Sequence, residues 1–138
     1  MIESFITIGL KHSLTPLGVL EKFHLSNDQI KALILFAKSK YDVNSIIIVS
    51  TCNRTQLFSI ALSKEQLLEL IVKFSNGSKE LFEEFGFEKK GEAAIENLFV
   101  VSAGLDSQIL GDLQIFSQVK RSVEISKNLH AIDGTTDR

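Results

Sequence analysis

The sequence predicts a globular domain of the α+β class, built from strands and helices that alternate along the chain. Hydrophobic residues make up 44% of its 138 residues and charged residues 23%, a balance typical of chains that pack a core. Segments rich in β-branched residues alternate with segments whose apolar residues recur at helical spacing. At roughly 150 residues per domain, the length predicts one domain.

The net charge and the cysteine content limit the partners and the kinds of site that the sequence allows. The formal net charge is −2, so the overall charge gives no drive toward nucleic acid or an anionic membrane, and contact with a polyanion must be local. The single cysteine, Cys52, excludes an intrachain disulfide and a Cys-rich zinc site and favours a reducing compartment. No apolar run approaches the roughly 20 residues of a spanning helix, and the first residues do not resemble a secretory signal. We expect a soluble, cytoplasmic protein with no membrane partner.

The first elements follow from local signals. Residues 5–10 are β-branched or aromatic and predict a strand that ends before His12. Thr15 as N-cap and Pro16 at the first helical position predict a short helix through residue 23. The capping-box sequence at residues 26–29 opens a second helix to about Lys40.

The middle of the chain predicts two strands and a helix. Residues 46–49 are four consecutive β-branched residues, which suits a strand buried on both faces. A polar stretch at residues 50–55 follows this strand. Residues 57–62 are again apolar and predict a second strand. A capping box at residues 63–66 opens a helix that stops at the turn pair Asn76-Gly77.

The last third is predicted to be mostly helical. Residues 81–87 predict a helix end followed by a fourth strand through Phe87. Residues 92–103 are predicted to form a helix that stops at Gly104, and residues 113–128 are predicted to form a last helix with Asp112 at its start. The linker at residues 102–114 presents many hydrogen-bonding groups, which are explained either by a binding role or by ordinary helix capping.

Two residues of the polar stretch could carry chemistry. Cys52 lies where a buried strand gives way to polar chain, and a thiolate there, favoured by the cation of Arg54, would attack a carbonyl carbon. The alternative is a buried cysteine that caps the strand. Arg54 could clamp a carboxylate with its planar fork of donors, or be a solvated loop arginine. The three histidines show no metal-binding spacing, so no metal is predicted, and no glycine-rich nucleotide motif follows a strand.

Separated motifs resemble those of one family, glutamyl-tRNA reductase. The resemblance rests on the Gly-Leu-Lys-His and Thr-Pro elements at residues 9–12 and 15–16, on Ser-Thr-Cys-Asn-Arg-Thr at residues 50–55, on Gly-Leu-Asp-Ser at residues 104–107, on Gly-Asp-Leu-Gln-Ile at residues 111–115, and on Gln-Val-Lys at residues 118–120. The order and separation of these motifs both fit the family. They cover essentially the whole chain.

The resemblance implies an enzyme domain. The family reduces glutamyl-tRNA with NADPH, through a cysteine thioester, to glutamate-1-semialdehyde, the first step of the five-carbon route to tetrapyrroles and haem. Its N-terminal catalytic domain is a ferredoxin-like βαββαβ plait followed by helices, which would place the plait at about residues 1–90 and the helical part at about residues 91–130. The NADPH-binding and dimerisation domains would be absent from this truncated chain. The implied partners are glutamyl-tRNA(Glu) and, in the full-length protein, a second copy of the same protein. The resemblance is also compatible with a contact with the next enzyme of the pathway.

The resemblance also implies roles for individual residues. Cys52 would be the nucleophile, and Arg54, helped by Thr51 and Asn53, would pair with the side-chain carboxylate of the glutamyl group. A second substrate-contacting stretch would consist of Ser107, Asp112, Leu113, Gln114 and Gln118. Candidate tRNA contacts on the last helix, which are equally explained as its solvated face, are Lys120, Arg121 and Lys127.

The chain departs from the family pattern at four positions. Asn97 stands where the family has a histidine held important for activity, Gln56 and Asp112 stand where it has glutamates, and Leu20 stands where it has an arginine. Asparagine can hydrogen-bond but cannot shuttle a proton. The missing histidine at Asn97 keeps one alternative open, a non-catalytic module that binds tRNA or a protein partner. A second alternative is a cysteine-dependent esterase, in which water takes the thioester when NADPH is absent.

Overall fold

A computed structural model describes residues 2–43, 45–105 and 109–111. A short 3₁₀ turn (Ile2–Ser4) precedes the first strand. The strands are β1 (Ile6–Lys11), β2 (Ile46–Ser50), β3 (Arg54–Ser59), β4 (Phe87–Lys90) and β5 (Ile109–Gly111). The helices are α1 (Leu17–Phe23), α2 (Asn27–Tyr41), α3 (Lys64–Phe74), α4 (Lys79–Phe85) and α5 (Glu92–Leu105).

The strands form one antiparallel sheet in the order β4-β1-β3-β2-β5. The chain passes from β1 through α1 and α2 to β2, and then from β3 through α3 and α4 to β4. Each of these crossovers skips one position in the sheet, so β3 lies between β1 and β2, and β1 lies between β3 and β4. The predicted α+β class is therefore confirmed.

Helices cover both faces of the sheet. One core packs Ile8 and Leu57 of the sheet against Leu33 of α2 and Ile71 of α3. The opposite core includes Phe5, Ile47, Val49 and Phe58 and packs them against α5 through Ala94, Ile95, Leu98 and Val101. Since neighbouring residues in a strand point to opposite faces, the odd and even positions of β3 belong to different cores. None of the described helices is long and apolar enough to cross a membrane.

Both predicted capping boxes are confirmed. At the start of α2, the Ser26 hydroxyl accepts from the Gln29 N–H at 3.2 Å, and the Gln29 side chain accepts from the Ser26 N–H at 2.7 Å. Ser63 and Gln66 form the same reciprocal pair at the start of α3. These pairs satisfy N–H groups that the first helical turn leaves without partners.

The predicted cap of the first helix was wrong. The helix begins at Leu17, and Pro16 occupies the cap position with φ −58° and ψ 145° and no side-chain cap bond. The Thr15 hydroxyl is instead buried and finds no hydrogen-bond partner among the described residues. Because Pro16 is extended rather than helical, the helix starts one residue later than the threonine signal predicted.

The predicted boundaries of two strands were also wrong. β3 spans Arg54–Ser59 rather than residues 57–62, because a tight hairpin brings its polar first residues straight into the ladder with β2. β4 begins at Phe87 rather than ending there. The linker at residues 102–114 contains β5, which pairs with β2 and was missed because three residues are too few to show strand periodicity. The predicted helix at residues 113–128 lies outside the described residues.

Candidate functional site

The candidate site is built on the tight turn between β2 and β3. The Thr51 N–H donates to the Arg54 carbonyl at 2.8 Å, which leaves Cys52 and Asn53 at the tip of the hairpin. Both tip residues are exposed. Cys52 is therefore not a buried cap of the strand, and its thiol can be reached by a bulky substrate.

Side-chain and backbone bonds hold this turn in place. The Thr51 hydroxyl accepts from the N–H of Asn53 at 3.1 Å and from the N–H of Arg54 at 3.3 Å. The His12 N–H, just past the end of β1, donates to the Asn53 carbonyl at 2.9 Å. The turn that carries Cys52 is thus attached to three strands of the sheet, and its position is set by the rigid part of the fold.

Ser50, the last residue of β2, fastens the hairpin to the connection between α1 and α2. Its hydroxyl oxygen accepts from the Leu25 N–H at 2.9 Å, and lies 3.0 Å from the Thr55 hydroxyl and 3.3 Å from Nδ1 of His24. Sequence reasoning missed both His12 and His24 as neighbours of the motif. The pairing of β1 with β3 brings His12 there, and the packing of α1 against these strands brings His24. His12 lies in the Gly-Leu-Lys-His element at residues 9–12, whereas none of the motifs includes His24.

Arg54 is a strand residue with a partly buried side chain, not a solvated loop arginine. Its Nη1 donates to the Gln56 side-chain oxygen at 3.1 Å. No carboxylate among the described residues lies within ion-pair distance of its guanidinium. Burial lowers the pKa of Arg54, because the charged form loses hydration. A partly desolvated cation without an acidic partner attracts an external anion.

A second cation stands next to Arg54 in the sheet. Lys11 is the direct partner of Arg54 in the β1–β3 ladder, so the two side chains share the face of the sheet that α5 covers. The Lys11 ammonium lies 5.3 Å from the centre of the Phe87 ring. Like charges directly opposite each other repel, and an anion bound between them relieves that repulsion.

Gln56 connects Arg54 to α5. It is completely buried, and its Nε2 donates to the Thr7 hydroxyl at 2.9 Å and to the Asn97 side-chain oxygen. Asn97, the predicted catalytic position, therefore contacts Gln56 and through it reaches Arg54. Two of the four departures from the family pattern, Gln56 and Asn97, are in direct contact.

Gly9 makes this arrangement possible. It lies opposite Gln56 in the β1–β3 ladder. A Cβ at this position would lie 2.5 Å from the Thr55 carbonyl oxygen and 2.9 Å from the Gln56 Cα. Only glycine allows the two backbones to approach this closely.

The other predicted site residues lie outside the described part of the chain. These are the second stretch, Ser107, Asp112, Leu113, Gln114 and Gln118, and the candidate tRNA contacts Lys120, Arg121 and Lys127. Within the described ranges, the hairpin does bring together Thr51, Cys52, Asn53 and Arg54. No group of three His, Cys, Asp or Glu side chains in those ranges is placed to hold a metal ion.

Comparisons with known proteins agree with this picture. Residues 8–138 match the profile of the family described as "Glutamyl-tRNAGlu reductase, N-terminal domain". The chain is 36% identical over 135 residues to glutamyl-tRNA reductase 2 of Flavobacterium johnsoniae, covering 98% of this chain and 31% of the relative. It is 35% identical over 136 residues to glutamyl-tRNA reductase of Christiangramia forsetii, covering 99% of this chain and 32% of the relative. The chain thus spans about a third of the length of these relatives.

A solved structure is similar in fold. Glutamyl-tRNA reductase from Methanopyrus kandleri aligns with a TM-score of 0.55 and 23% sequence identity, covering 99% of this chain and 30% of that chain. At this level of identity the likeness concerns the fold.

Proposed function

The chain belongs to the glutamyl-tRNA reductase family, and we propose that it is the part of such an enzyme that takes the glutamyl group from glutamyl-tRNA onto Cys52. The observation that carries the proposal is the hairpin itself. It presents an exposed cysteine two residues from Arg54, a partly buried cation that has no acidic partner among the described residues. A nucleophile beside an unpaired guanidinium suits an ester substrate that carries a carboxylate.

The proposed step is a transesterification to a thioester. The Cys52 thiol gives up its proton and the thiolate attacks the carbonyl carbon of the aminoacyl ester. A C–S bond forms, the C–O bond to the tRNA breaks, and the released tRNA oxygen takes up one proton to become a free hydroxyl, which balances the proton lost by the thiol. The Arg54 fork pairs with the side-chain carboxylate of the glutamyl group. The Thr51 hydroxyl already accepts two turn N–H groups, so its own hydrogen remains for the substrate. The second stretch, Ser107, Asp112, Leu113, Gln114 and Gln118, is proposed to hold the α-amino group and the ester end.

NADPH does not fit the described residues. Dinucleotide phosphates are held by a glycine-rich turn between a strand and a helix. Among the described residues, three connections lead from a strand into a helix: residues 12–16 and 60–63 contain no glycine, and the third is the single residue Gly91, so none is a glycine-rich turn. We propose that NADPH, which would supply hydride for reduction of the thioester to glutamate-1-semialdehyde, binds outside this chain. We propose likewise that the full-length protein is a homodimer and that it contacts the next enzyme of tetrapyrrole synthesis. The proposed location is the cytoplasm.

We further propose that the sheet and its crossovers are a ferredoxin-like plait. The strand order β4-β1-β3-β2, with antiparallel neighbours and two helical crossovers, supports this assignment. β5 then extends the plait at the edge formed by β2. The partition into a plait at about residues 1–90 and a helical part at about residues 91–130 is part of the same proposal.

A chimaeric enzyme tests the function. Residues 1–138 replace the matching N-terminal third of the Flavobacterium johnsoniae relative, and formation of semialdehyde from glutamyl-tRNA and NADPH is measured. We expect activity that is abolished by Cys52→Ser and retained by Ser39→Ala, a control at an exposed serine of α2. A chimaera whose activity survives Cys52→Ser would contradict the proposal.

A further inference from the structure

We propose that Lys11 is a second residue that binds the side-chain carboxylate of the glutamyl group, together with Arg54, and that it contributes to the preference for a glutamyl over a glutaminyl substrate. This inference rests on the proposed function, since it assumes that Arg54 receives that carboxylate. Lys11 is the last residue of β1, and its side chain is partly buried. The resemblance to the family gives this residue no role.

The register of the sheet brings the side chains of Lys11 and Arg54 close together. The two residues are direct partners at the end of the β1–β3 ladder. The next pair toward the hairpin tip, His12 and Asn53, is joined by a backbone hydrogen bond of 2.9 Å. Hydrogen-bonded and non-hydrogen-bonded pairs alternate in an antiparallel ladder, so Lys11 and Arg54 form a non-hydrogen-bonded pair, the kind whose side chains lie closer together. Two cations therefore stand side by side where the hairpin of Cys52 leaves the sheet.

These two cations have no described counter-ion. No carboxylate among the described residues lies within ion-pair distance of the Lys11 ammonium or of the Arg54 guanidinium. Like charges directly opposite each other in a ladder destabilise the fold. Burial of the Arg54 side chain adds to this cost, because its charged form loses hydration. A pair of cations that is unfavourable in the free domain suits an anionic ligand that both can contact.

The contacts of the two side chains leave both able to bind. The Arg54 Nη1 donates to the Gln56 side-chain oxygen at 3.1 Å, and the guanidinium has further N–H groups to donate. The Lys11 ammonium lies 5.3 Å from the centre of the Phe87 ring. A contact between a cation and an aromatic ring is weaker than a hydrogen bond between a cation and a carboxylate. The ring therefore holds the ammonium beside Arg54 until a carboxylate takes its place as the partner.

A carboxylate can accept from both cations at once. It has two oxygens with about four positions for hydrogen bonds. The planar fork of Arg54 uses one position on each oxygen, which leaves one position on each for an N–H of the Lys11 ammonium. The amide of a glutaminyl group has a single oxygen, no charge, and an NH₂ group that cannot accept from either cation. Lys11 therefore favours the glutamyl group over the glutaminyl group.

The first test is acyl transfer to Cys52 in a single turnover, with glutamyl-tRNA and glutaminyl-tRNA as alternative substrates and intact mass as the readout. For Lys11→Met we expect the half-saturating concentration of glutamyl-tRNA to rise about fivefold and that of glutaminyl-tRNA to stay the same. The preference for the glutamyl substrate then falls by the same factor. Lys11→Arg keeps the charge and should keep most of the preference. Lys38→Met, at an exposed lysine near the end of α2, is the matched control and should change neither quantity.

Comparison of the two substrates separates the carboxylate from the phosphates of the tRNA. An equal rise in half-saturation for both substrates would overturn the proposal, because phosphates are common to the two and only the carboxylate differs. Unchanged half-saturation for both would overturn it as well. Urea unfolding at low salt distinguishes a merely structural role. Lys11→Met should be at least as stable as the unmodified chain, since one of two opposed cations is removed.

Binding of analogues that cannot acylate Cys52 keeps the inference distinct from the proposed function. In these analogues the terminal adenosine carries the glutamyl or the glutaminyl group through an amide in place of the ester, and calorimetry gives the dissociation constants. We expect the glutamyl analogue to bind more tightly, and Lys11→Met to reduce the difference about fivefold. This result supports the role of Lys11 even if Cys52 forms no adduct. A preference that persists fully in Lys11→Met, or no preference in the unmodified chain, would refute the role even if the adduct forms normally.

Discussion

The backbone N–H of His12 donates to the carbonyl of Asn53 at 2.9 Å and so ties the tip of the β2–β3 hairpin to the end of β1. Cys52 is the neighbour of Asn53, and its position is therefore set by a third strand as well as by its own two. A nucleophile held on a rigid scaffold keeps its attack geometry better than one on a mobile loop. The thiol of Cys52 is consequently accessible, and the backbone that carries it is held by three strands.

The Thr51 hydroxyl should matter for both the turn and the reaction. Thr51→Val removes the acceptor of two backbone N–H groups at the turn, and we expect a loss of about 1 kcal/mol in the free energy of unfolding. Acyl transfer to Cys52 should slow as well. Thr51→Ser keeps the hydroxyl and is the control. Urea unfolding and single-turnover kinetics measure the two effects, and a Val variant equal to the unmodified chain in both would contradict the turn's role.

Arg54 should contribute through the shape of its guanidinium as well as its charge. Replacing it with Gln removes a charge-assisted contact to the substrate, and we expect a loss of about 2 kcal/mol in binding, roughly a thirtyfold rise in half-saturating glutamyl-tRNA. Arg54→Lys keeps the charge without the planar fork, so its half-saturating concentration of glutamyl-tRNA should lie between those of the unmodified chain and of Arg54→Gln. The measurement is the concentration dependence of adduct formation. Equal half-saturation for Lys and Gln variants would exclude a contribution from charge.

Two glycine substitutions should change stability in opposite directions. Gly9→Ala forces a Cβ to within 2.9 Å of the Gln56 Cα, and we expect a loss of about 1–3 kcal/mol from overpacking. Gly18→Ala in α1 meets no atom within 4 Å and should gain about 0.5–1 kcal/mol, because alanine favours the helix. Urea denaturation of the two variants gives both values. A Gly9→Ala variant as stable as Gly18→Ala would show that the close strand contact is not required.

Glu69 should make stability depend on pH in the acid range. Hydrogen bonds from Lys40 and Tyr41 lower the pKa of Glu69 below its ordinary value of 4.5. A carboxyl whose pKa is lowered on folding stabilises the fold above its ordinary pKa, and this stabilisation disappears as the pH falls through the lowered value. Unfolding by urea at a series of pH values should show a smaller acid loss for Glu69→Gln than for the control Glu83→Gln, an exposed residue of α4. Equal acid losses for the two variants would contradict the assignment.

Local signals predicted much of the secondary structure. The capping boxes at Ser26 and Ser63 and the β-branched run at residues 46–49 each lie where the sequence placed a helix start or a strand. Signals of this kind depend on neighbouring residues only. The start of β3 at Arg54 was missed because pairing with β2 and β1, rather than local propensity, places polar residues in the ladder.

The site was predictable in part. The motif at residues 50–55 predicted Cys52 and Arg54 as site residues, and the structure places both at one turn. The contact of Gln56 with Asn97 joins residues 41 positions apart in the chain, and no local pattern encodes it. A glutamine in a strand also gives no hint that it will be completely buried, because burial depends on whether tertiary partners satisfy its amide.

The central claim is that Cys52 accepts the glutamyl group. The chain is mixed with glutamyl-tRNA labelled in the glutamate, without NADPH, and the product is analysed by intact mass and peptide mapping. The account predicts one glutamyl adduct, sensitive to hydroxylamine, on the peptide that contains Cys52, and none in Cys52→Ser. Glutamyl-tRNA bound without an adduct, or an adduct that persists in the serine variant, would contradict the account and favour a module that binds tRNA without performing this chemistry.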